Sequence, residues 1–153
     1  MLRIAKIFFA ILIVLGFWYI ISGNFDPDLG WHLRVGEQIS ITGEIPRYDT
    51  FSHTMPGFEW VDHEWLVDAW LSWMYARNLW NVVVVLFALL AFLPFFFWLR
   101  RARSYTGVWL VLLASVILTG FVGVRPQIIS FAIFFGVYEI LSQKYEDARY
   151  GRS

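Results

Sequence analysis

Side chains that can carry acid–base or metal chemistry are concentrated in one stretch of this sequence, residues 23–78. A carboxylate can take a proton from a hydroxyl group or hold a divalent cation, and a histidine can titrate near neutral pH or ligate a metal. The stretch contains all three histidines. It also contains nine of the twelve acidic residues, which are Asp26, Asp28, Glu37, Glu44, Asp49, Glu59, Asp62, Glu64 and Asp68. A functional site is therefore expected here.

Asp26 and Asp28 open this stretch, on either side of Pro27 and directly after an apolar run. We predict that one of the two is a catalytic carboxylate, which removes the proton from an acceptor hydroxyl, and that Asp28 could ligate a divalent cation. A structural alternative also fits: Asp26 caps the start of a helix and Asp28 complements its dipole. The spacing leaves both open.

The histidines give two further candidates. His32 follows Asp28 by four residues, so both lie on one face of a helix and could share a metal ion or form an oriented His–Asp pair. Asp62, His63 and Glu64 are consecutive, and either His63 or Glu64 could reach a neighbouring site. We predict His32, His63 and Glu64 as substrate-binding residues. The plainer alternatives are a polar tip at a membrane interface for His32 and a helix cap followed by first-turn acids for the second group.

A cationic candidate lies far from this stretch, in the sequence Gly123-Val-Arg-Pro-Gln. Arg125 stands beside apolar runs, where a guanidinium can pair with a phosphate or with a carboxylate of the acidic stretch. Arg125 and Gln127 are therefore predicted to bind substrate. The alternative is an arginine whose head group reaches from an apolar helix to the membrane surface.

The elements that must position these residues are apolar. The chain is 59% hydrophobic and 16% charged, which is typical of a membrane protein. Four apolar runs, at about residues 4–22, 79–99, 104–124 and 126–143, approach the ~20 residues that a helix needs to span a bilayer. The first could instead be a signal peptide, but no small-x-small cleavage site follows it. We predict one all-α membrane module over residues 1–153, a polytopic transmembrane bundle of about four spans with the outer loop at about 23–78.

Two residues stand out within the predicted spans. Pro94 should kink the second span, and Glu139 should place its carboxylate near one interface. The basic residues orient the bundle, because cytoplasmic loops collect Lys and Arg. Eight of the twelve fall on one predicted side, namely Arg3, Lys6, Arg100, Arg101, Arg103, Lys144, Arg149 and Arg152. Both termini are predicted to be cytoplasmic and the acidic stretch to face outward.

Two helices are predicted inside the outer loop. Asp26 would cap the first, which begins at Pro27 and ends at about Thr42 before Gly43. Asp62 would cap the second, with an apolar stripe that rests in the membrane interface and consists of Leu66, Ala69, Trp70, Trp73 and Met74. Glu64 and Asp68 share the other face of this helix, toward solvent. Six of the nine tryptophans lie in or beside this loop, and indole rings favour the head-group level.

Three segments of the loop, in order, resemble the first outer loop of GT-C type membrane glycosyltransferases. They are Asp26-Pro-Asp-Leu-Gly-Trp-His-Leu-Arg-Val-Gly, Gly43-Glu-Ile-Pro-Arg-Tyr-Asp-Thr-Phe-Ser and Trp60-Val-Asp-His-Glu-Trp-Leu, joined by the later Arg125-Pro-Gln. The resemblance implies a polyprenyl-phosphate sugar as donor, a first-loop acid as general base or metal ligand at Asp26 or Asp28, and the cytoplasmic membrane of a bacterium or archaeon. Such enzymes have many more than four spans. We therefore expect an N-terminal part of a longer protein, or one that needs further membrane helices from another chain.

Composition and motifs argue against several functions other than glycosyl transfer and leave two alternatives. The balanced charge, 12 basic and 12 acidic residues, argues against nucleic acid, and the lack of cysteine excludes disulfides and thiolate chemistry. Soluble-enzyme motifs such as phosphate-binding glycine loops are missing. The first alternative is a non-catalytic membrane subunit or scaffold whose outer loop binds a partner. A small transporter is a further alternative, although the spans lack the buried charges of an ion path, apart from Glu139.

Overall fold

The computed structural model of the protein describes residues 1–23 and 26–151, and in these ranges the fold is all-α, as predicted. No strand forms there, and residues 48 and 59 make an isolated bridge. Arg152 and the loop residues 24–25 lie outside the described ranges. The helices are α1 (Leu2–Gly23), α2 (Leu29–Thr42), α3 (Trp65–Ala76), α4 (Trp80–Arg101), α5 (Tyr105–Ile117), a 3-10 turn (Leu118–Phe121) and α6 (Pro126–Tyr150).

The chain divides into two compact units. One, which we call the acidic unit, is Asp26–Val83 and contains α2 and α3. The other, the apolar unit, combines Met1–Phe25 with Val84–Ser153 and holds α1, most of α4, α5 and α6. The acidic unit corresponds closely to the predicted outer loop, which was expected at about 23–78.

Two helices, α1 and α4, are long and apolar enough to cross a membrane. Their bounds differ by no more than two residues from the predicted spans 4–22 and 79–99. Helix α5 is shorter than the predicted 104–124, because the α-helix ends at Ile117 and a 3-10 turn containing Gly120 follows, and glycine is a poor helix former. Helix α6 is longer than the predicted 126–143, because it continues to Tyr150 through a segment that contains several charged residues. The third and fourth spans stay predictions.

Aromatic rings join the helices of the apolar unit. Phe17 of α1 is 2% exposed, and its ring centre lies 5.5 Å from that of Phe95 in α4. Edge-to-face contacts of this kind favour a defined packing beyond the area they bury. Further ring pairs are Phe9–Trp109, at 5.0 Å, and Trp98–Phe135, at 5.7 Å. Helix α4 is continuous through Pro94, which is fully buried.

Polar contacts gather basic residues at one end of this unit. The Lys6 ammonium donates a hydrogen bond to the carbonyl oxygen of Arg100, at 3.1 Å. The Arg101 guanidinium lies 3.1 Å from the buried Glu139 carboxylate and donates to the hydroxyl of Ser142 at 2.9 Å. Glu139 therefore has a charge partner, which a buried carboxylate requires. The clustering of Lys6 with the end of α4 agrees with the predicted grouping of basic residues, while the side of the membrane stays a prediction.

The helices of the acidic unit begin later than predicted. Helix α2 ends at Thr42 as expected, with Gly43 in the left-handed region at φ 72°. It begins at Leu29 rather than Pro27. Helix α3 begins at Trp65, and Asp62 does not cap it, because its carboxylate accepts from the backbone of Glu64 before the helix starts.

The apolar stripe predicted for α3 is exposed in part. Leu66 and Trp73 are 64% and 46% exposed, whereas Met74 lies on the buried face with Asp68 and Leu71. The contact of the exposed residues with a membrane stays a prediction. The buried face includes a carboxylate because His32 of α2 supplies a partner for it. Periodicity alone assigned Asp68 to the solvent side, since an acid usually lies there.

Candidate functional site

The two helices of the acidic unit are packed closely at a glycine. Gly36 of α2 is buried, and a Cβ built on it would lie 1.9 Å from the carbonyl oxygen of Asp68 in α3 and 2.8 Å from the Cβ of Ser72. No other residue type fits there without moving one helix. Because His32 precedes Gly36 by one helical turn, this close approach brings the imidazole onto α3.

His32 and Asp68 form a buried pair. Nδ1 of His32 lies 2.8 Å from Oδ1 of Asp68, and the two residues are 7% and 1% exposed. A buried carboxylate needs such a partner, since an unpaired charge in the interior is costly. The pair therefore fixes the imidazole and pins the register of α2 against α3.

The surroundings of His32 favour its protonated form. The hydrogen bond to Asp68 raises the pKa of His32, burial opposes this, and the negative charges of Asp68, Glu64 and Asp28 add to the rise. Glu64 Oε2 lies 3.9 Å from His32 Nδ1. When it is protonated, the imidazole is therefore a single cation that is attracted by three carboxylates.

Asp62 is a second buried carboxylate in this unit. It is 6% exposed, and its Oδ1 accepts a hydrogen bond from the Glu64 amide at 3.0 Å. Among the buried side-chain oxygens and nitrogens of the described ranges, Oδ2 of Asp62 has no hydrogen-bond partner. Burial raises the pKa of Asp62, and the nearby charge of Asp68 acts in the same direction. A buried acceptor without a donor is uncommon in folded proteins and marks a position that a ligand could complete.

Asp26 and Asp28 form the turn that leads into α2. Oδ1 of Asp26 accepts a hydrogen bond from the Asp28 amide at 3.0 Å, so Asp26 shapes the turn. Asp28 precedes the first residue of α2, is exposed, and makes no capping hydrogen bond with its side chain. Its charge acts on His32, which is one turn further along. Asp28 thus presents a carboxylate at the surface beside the buried pair.

The structure changes which residues belong together. His32 does take part in a His–Asp pair, but its partner is Asp68 and not Asp28. Glu64 lies near His32, whereas His63 is exposed. Substrate binding by these residues stays a prediction. Asp68 was missed as a site residue, because an acid usually lies on the exposed face of a helix. It is the single acid of α3, and its burial depends on His32 as a partner.

Arg125 and Gln127 line a cavity in the apolar unit. Its volume is about 420 Å³, and it lies between α4, the 3-10 turn and the start of α6. The remaining lining residues are all apolar, namely Ala91, Phe95, Leu118, Phe121, Val122, Ile128 and Phe131. The two residues predicted to bind substrate are therefore brought together, at a site whose other walls are hydrocarbon.

A divalent cation does not fit the donor set. Within residues 1–23 and 26–151, no three His, Cys, Asp or Glu side chains are arranged to hold a metal ion. His32 already directs Nδ1 to Asp68, and Oδ1 of Asp26, the carboxylate nearest to Asp28 in the sequence, is engaged by the Asp28 amide. The predicted role of Asp28 as a metal ligand therefore finds no support in the geometry, and no chemical step is assigned to a cation.

The sequence matches no protein-family model, and comparison with curated proteins and with solved structures found no match. The resemblance to membrane glycosyltransferases therefore rests on the order of the three loop segments and the Arg125 segment.

Proposed function

We propose that this chain is a module of a membrane glycosyltransferase that moves a sugar from a polyprenyl phosphate to a hydroxyl acceptor on the non-cytoplasmic side of the membrane. The observation that carries the proposal is the cavity of the apolar unit, which combines one guanidinium with hydrocarbon walls. A polyprenyl phosphate has the same two parts, an anionic head and an apolar chain. The two apolar helices α1 and α4 supply the membrane-spanning element that such a substrate requires.

Arg125 is the residue we assign to the phosphate. A guanidinium can bind two phosphate oxygens at once, and this charge-assisted pairing is strong where water is excluded. Gln127 lies two residues on and can donate an amide hydrogen bond to the same group. The apolar lining removes the first isoprene units from water.

Asp28 is the residue we assign as general base. Its carboxylate is exposed, whereas the Oδ1 atom of Asp26 is engaged by the turn. In the proposed step the acceptor oxygen forms a bond to the anomeric carbon, and the bond from that carbon to the phosphate oxygen breaks. The electron pair leaves with the polyprenyl phosphate, and the hydroxyl proton passes to Asp28.

His32 and Asp68 serve as positioning residues in this scheme. Their buried contact holds α2 on α3 and so fixes the start of α2, which carries Asp28. A base that is displaced by about 1 Å can lose on the order of a hundredfold in rate. The His32–Asp68 contact thus affects the rate of proton removal through the position of Asp28.

A second candidate is a non-catalytic membrane subunit that binds a partner through the acidic unit. The exposed apolar side chains of α3 favour it, because large residues such as Leu66, Trp73 and Tyr75 are 64%, 46% and 57% exposed. Contiguous apolar patches commonly mark contact with a protein or a membrane. This candidate requires no turnover.

Sugar transfer in membranes that carry the complete protein tests the proposal. A radiolabelled polyprenyl-phosphate sugar is supplied, and both the glycosylated product and the released polyprenyl phosphate are measured. We expect Arg125→Ala to raise the KM for the donor by about tenfold to a hundredfold, as the loss of a charge-assisted contact of ~1.5–3 kcal/mol would. Arg103→Ala is the matched control, since Arg103 is exposed and does not line the cavity.

Equal donor KM values for the two arginine variants would refute the assignment of Arg125. Absence of transfer from every polyprenyl-phosphate sugar tried, together with a protein that co-purifies stoichiometrically, would favour the non-catalytic subunit.

A further inference from the structure

A separate cavity lies within the acidic unit, between the segment after α2 and the segment that leads into α3. Its volume is about 430 Å³, which is in the range of ~300–1,000 Å³ typical of small-molecule sites. The lining residues are Ile45, Pro46, Arg47, Glu59, Trp60, Val61, Asp62 and Trp65. Neither the Arg125 cavity nor the Asp28 carboxylate belongs to it.

The backbone holds the walls of this cavity together. The amide of Trp60 donates to the carbonyl oxygen of Arg47 at 2.9 Å, and the amide of Asp49 donates to the carbonyl oxygen of Phe58 at 2.8 Å. The Asp49 carboxylate also accepts from the amide of Phe51, which closes the turn beyond. The two walls are thus paired, so the cavity exists before any ligand binds.

Two indole rings contribute its apolar surface. Trp60 is half-buried and packs edge-to-face on Trp31, with ring centres 5.4 Å apart. Trp31 in turn packs on Phe51, with ring centres 4.9 Å apart, so these two rings support the Trp60 ring. Trp65 is 40% exposed and lies at the start of α3. Rigid aromatic faces accept the apolar C–H face of a ring-shaped ligand at little entropic cost.

Asp62 contributes a buried polar group, beside the charged side chains of Arg47 and Glu59. Asp62 is 6% exposed, and its Oδ2 has no hydrogen-bond donor in the described part of the chain. Its Oδ1 accepts a hydrogen bond from the Glu64 amide. Oδ2 is itself buried, so a ligand hydroxyl would supply the missing donor once the side chains that cover this oxygen move aside.

We propose that this cavity binds a saccharide, with a sugar ring against Trp60 and Trp65 and a sugar hydroxyl donating to Asp62. Saccharides combine an apolar C–H face with hydroxyl donors, and the cavity presents the complement of both. Its assignment as the subsite of the acceptor rests on the proposed function, whereas the binding itself does not.

Calorimetric titration of the complete protein in lipid nanodiscs, free of sugar-based detergent, tests the proposal. The probes are chitotriose, mannotriose and galactotriose, supplied without any polyprenyl phosphate. We expect at least one of them to bind. We expect Trp65→Ala to weaken that binding by about tenfold, the value of ~1.4 kcal/mol of lost contact. Trp73→Ala is the matched control, because Trp73 is on the same helix, is similarly exposed at 46%, and does not line the cavity.

Asp62→Asn keeps the size of the side chain and tests the polar contact. We expect weaker trisaccharide binding with no loss of thermal stability. A variant that melts earlier but binds as the unmodified protein does would show that Asp62 has only a structural role and would overturn its assignment. Failure of all three probes to bind, or equal loss in the two tryptophan variants, would overturn the saccharide site. Trisaccharide binding without sugar transfer would support this site and refute the proposed function. Sugar transfer without trisaccharide binding would support the proposed function and refute this site.

Discussion

Gly36 of α2 lies against the backbone carbonyl of Asp68 in α3, with the position of a Cβ only 1.9 Å from that oxygen. The same residue of α3 receives the imidazole of His32, one turn earlier on α2, at 2.8 Å. One short contact therefore sets the distance between the helices, and the other sets their register. Both depend on residues that are 32 or more positions apart in the sequence.

Gly36→Ala should destabilise the acidic unit. Overpacking a tight core costs about 1–3 kcal/mol, and here the obstacle is backbone, which yields less readily than a side chain. Gly30→Ala is the control on the same helix, because nothing lies within 4 Å of its Cβ position. That variant should be neutral or stabilising by roughly 0.5–1 kcal/mol. Hydrogen exchange of the α2 and α3 amides measures both, and equal protection in the two variants would contradict the close packing.

A double-mutant cycle should show coupling between His32 and Asp68. Asp68→Ala and His32→Ala each remove one partner of a buried hydrogen bond, which costs about 1–3 kcal/mol. Because both remove the same contact, their effects should be non-additive by roughly 0.5–3 kcal/mol. Hydrogen exchange of α3 again gives the free energies. Additive effects would mean that the pair contributes nothing as a pair.

The stability of the acidic unit should fall as the pH rises through the pKa of His32, which is raised above 6.5. The Asp68 hydrogen bond raises the pKa of His32 above its ordinary value of 6.5, so the folded state binds the proton more tightly than the unfolded state does. This contribution is fully present below pH 6.5 and is lost as the pH rises through the raised pKa. An NMR titration of the His32 ring should give a midpoint above 6.5, and Asp68→Asn should lower that midpoint. A midpoint unmoved by the variant would be contrary evidence.

At neutral pH, Asp62→Asn should stabilise the acidic unit or leave its stability unchanged. Burial raises the pKa of Asp62 above 3.8, so its contribution to stability is present below that pH and is lost as the pH rises through the raised value. Removing the charge removes this loss, and the variant should be at least as stable as the unmodified protein near pH 7 while depending less on pH in the acid range. Thermal unfolding at a series of pH values measures this. An Asp62→Asn variant with an unchanged pH profile would show that the burial of this carboxylate has no energetic effect.

The sequence predicted some elements well because their signals are local. The bounds of α1 and α4 follow from uncharged apolar runs of about the ~20 residues that span a bilayer. The end of α2 follows from Gly43, whose φ of 72° suits glycine. The candidate residues Asp28, Glu64 and Arg125 were also selected from local patterns. These predictions needed no knowledge of which elements pack together.

The pairing of Asp68 with His32 could not be predicted in the same way. The two residues are 36 positions apart, and periodicity placed Asp68 on the solvent face because an isolated acid is costly to bury. Only the approach of α2, permitted by Gly36, makes that burial favourable. The partner of the His–Asp pair was therefore sought at the helical spacing, in Asp28, and lies instead across a helix interface.

Asp28 is the residue assigned to take the acceptor proton during sugar transfer, and the transfer rate of Asp28→Asn measures that role. Glu37→Gln is the matched control, since Glu37 is an exposed acid on the same helix and pairs with Arg34. In membranes that carry the complete protein, we predict that kcat falls by about a hundredfold or more for Asp28→Asn, as expected for loss of a general base, while Glu37→Gln retains the unmodified rate. A transfer rate for Asp28→Asn equal to that of the control would contradict the account.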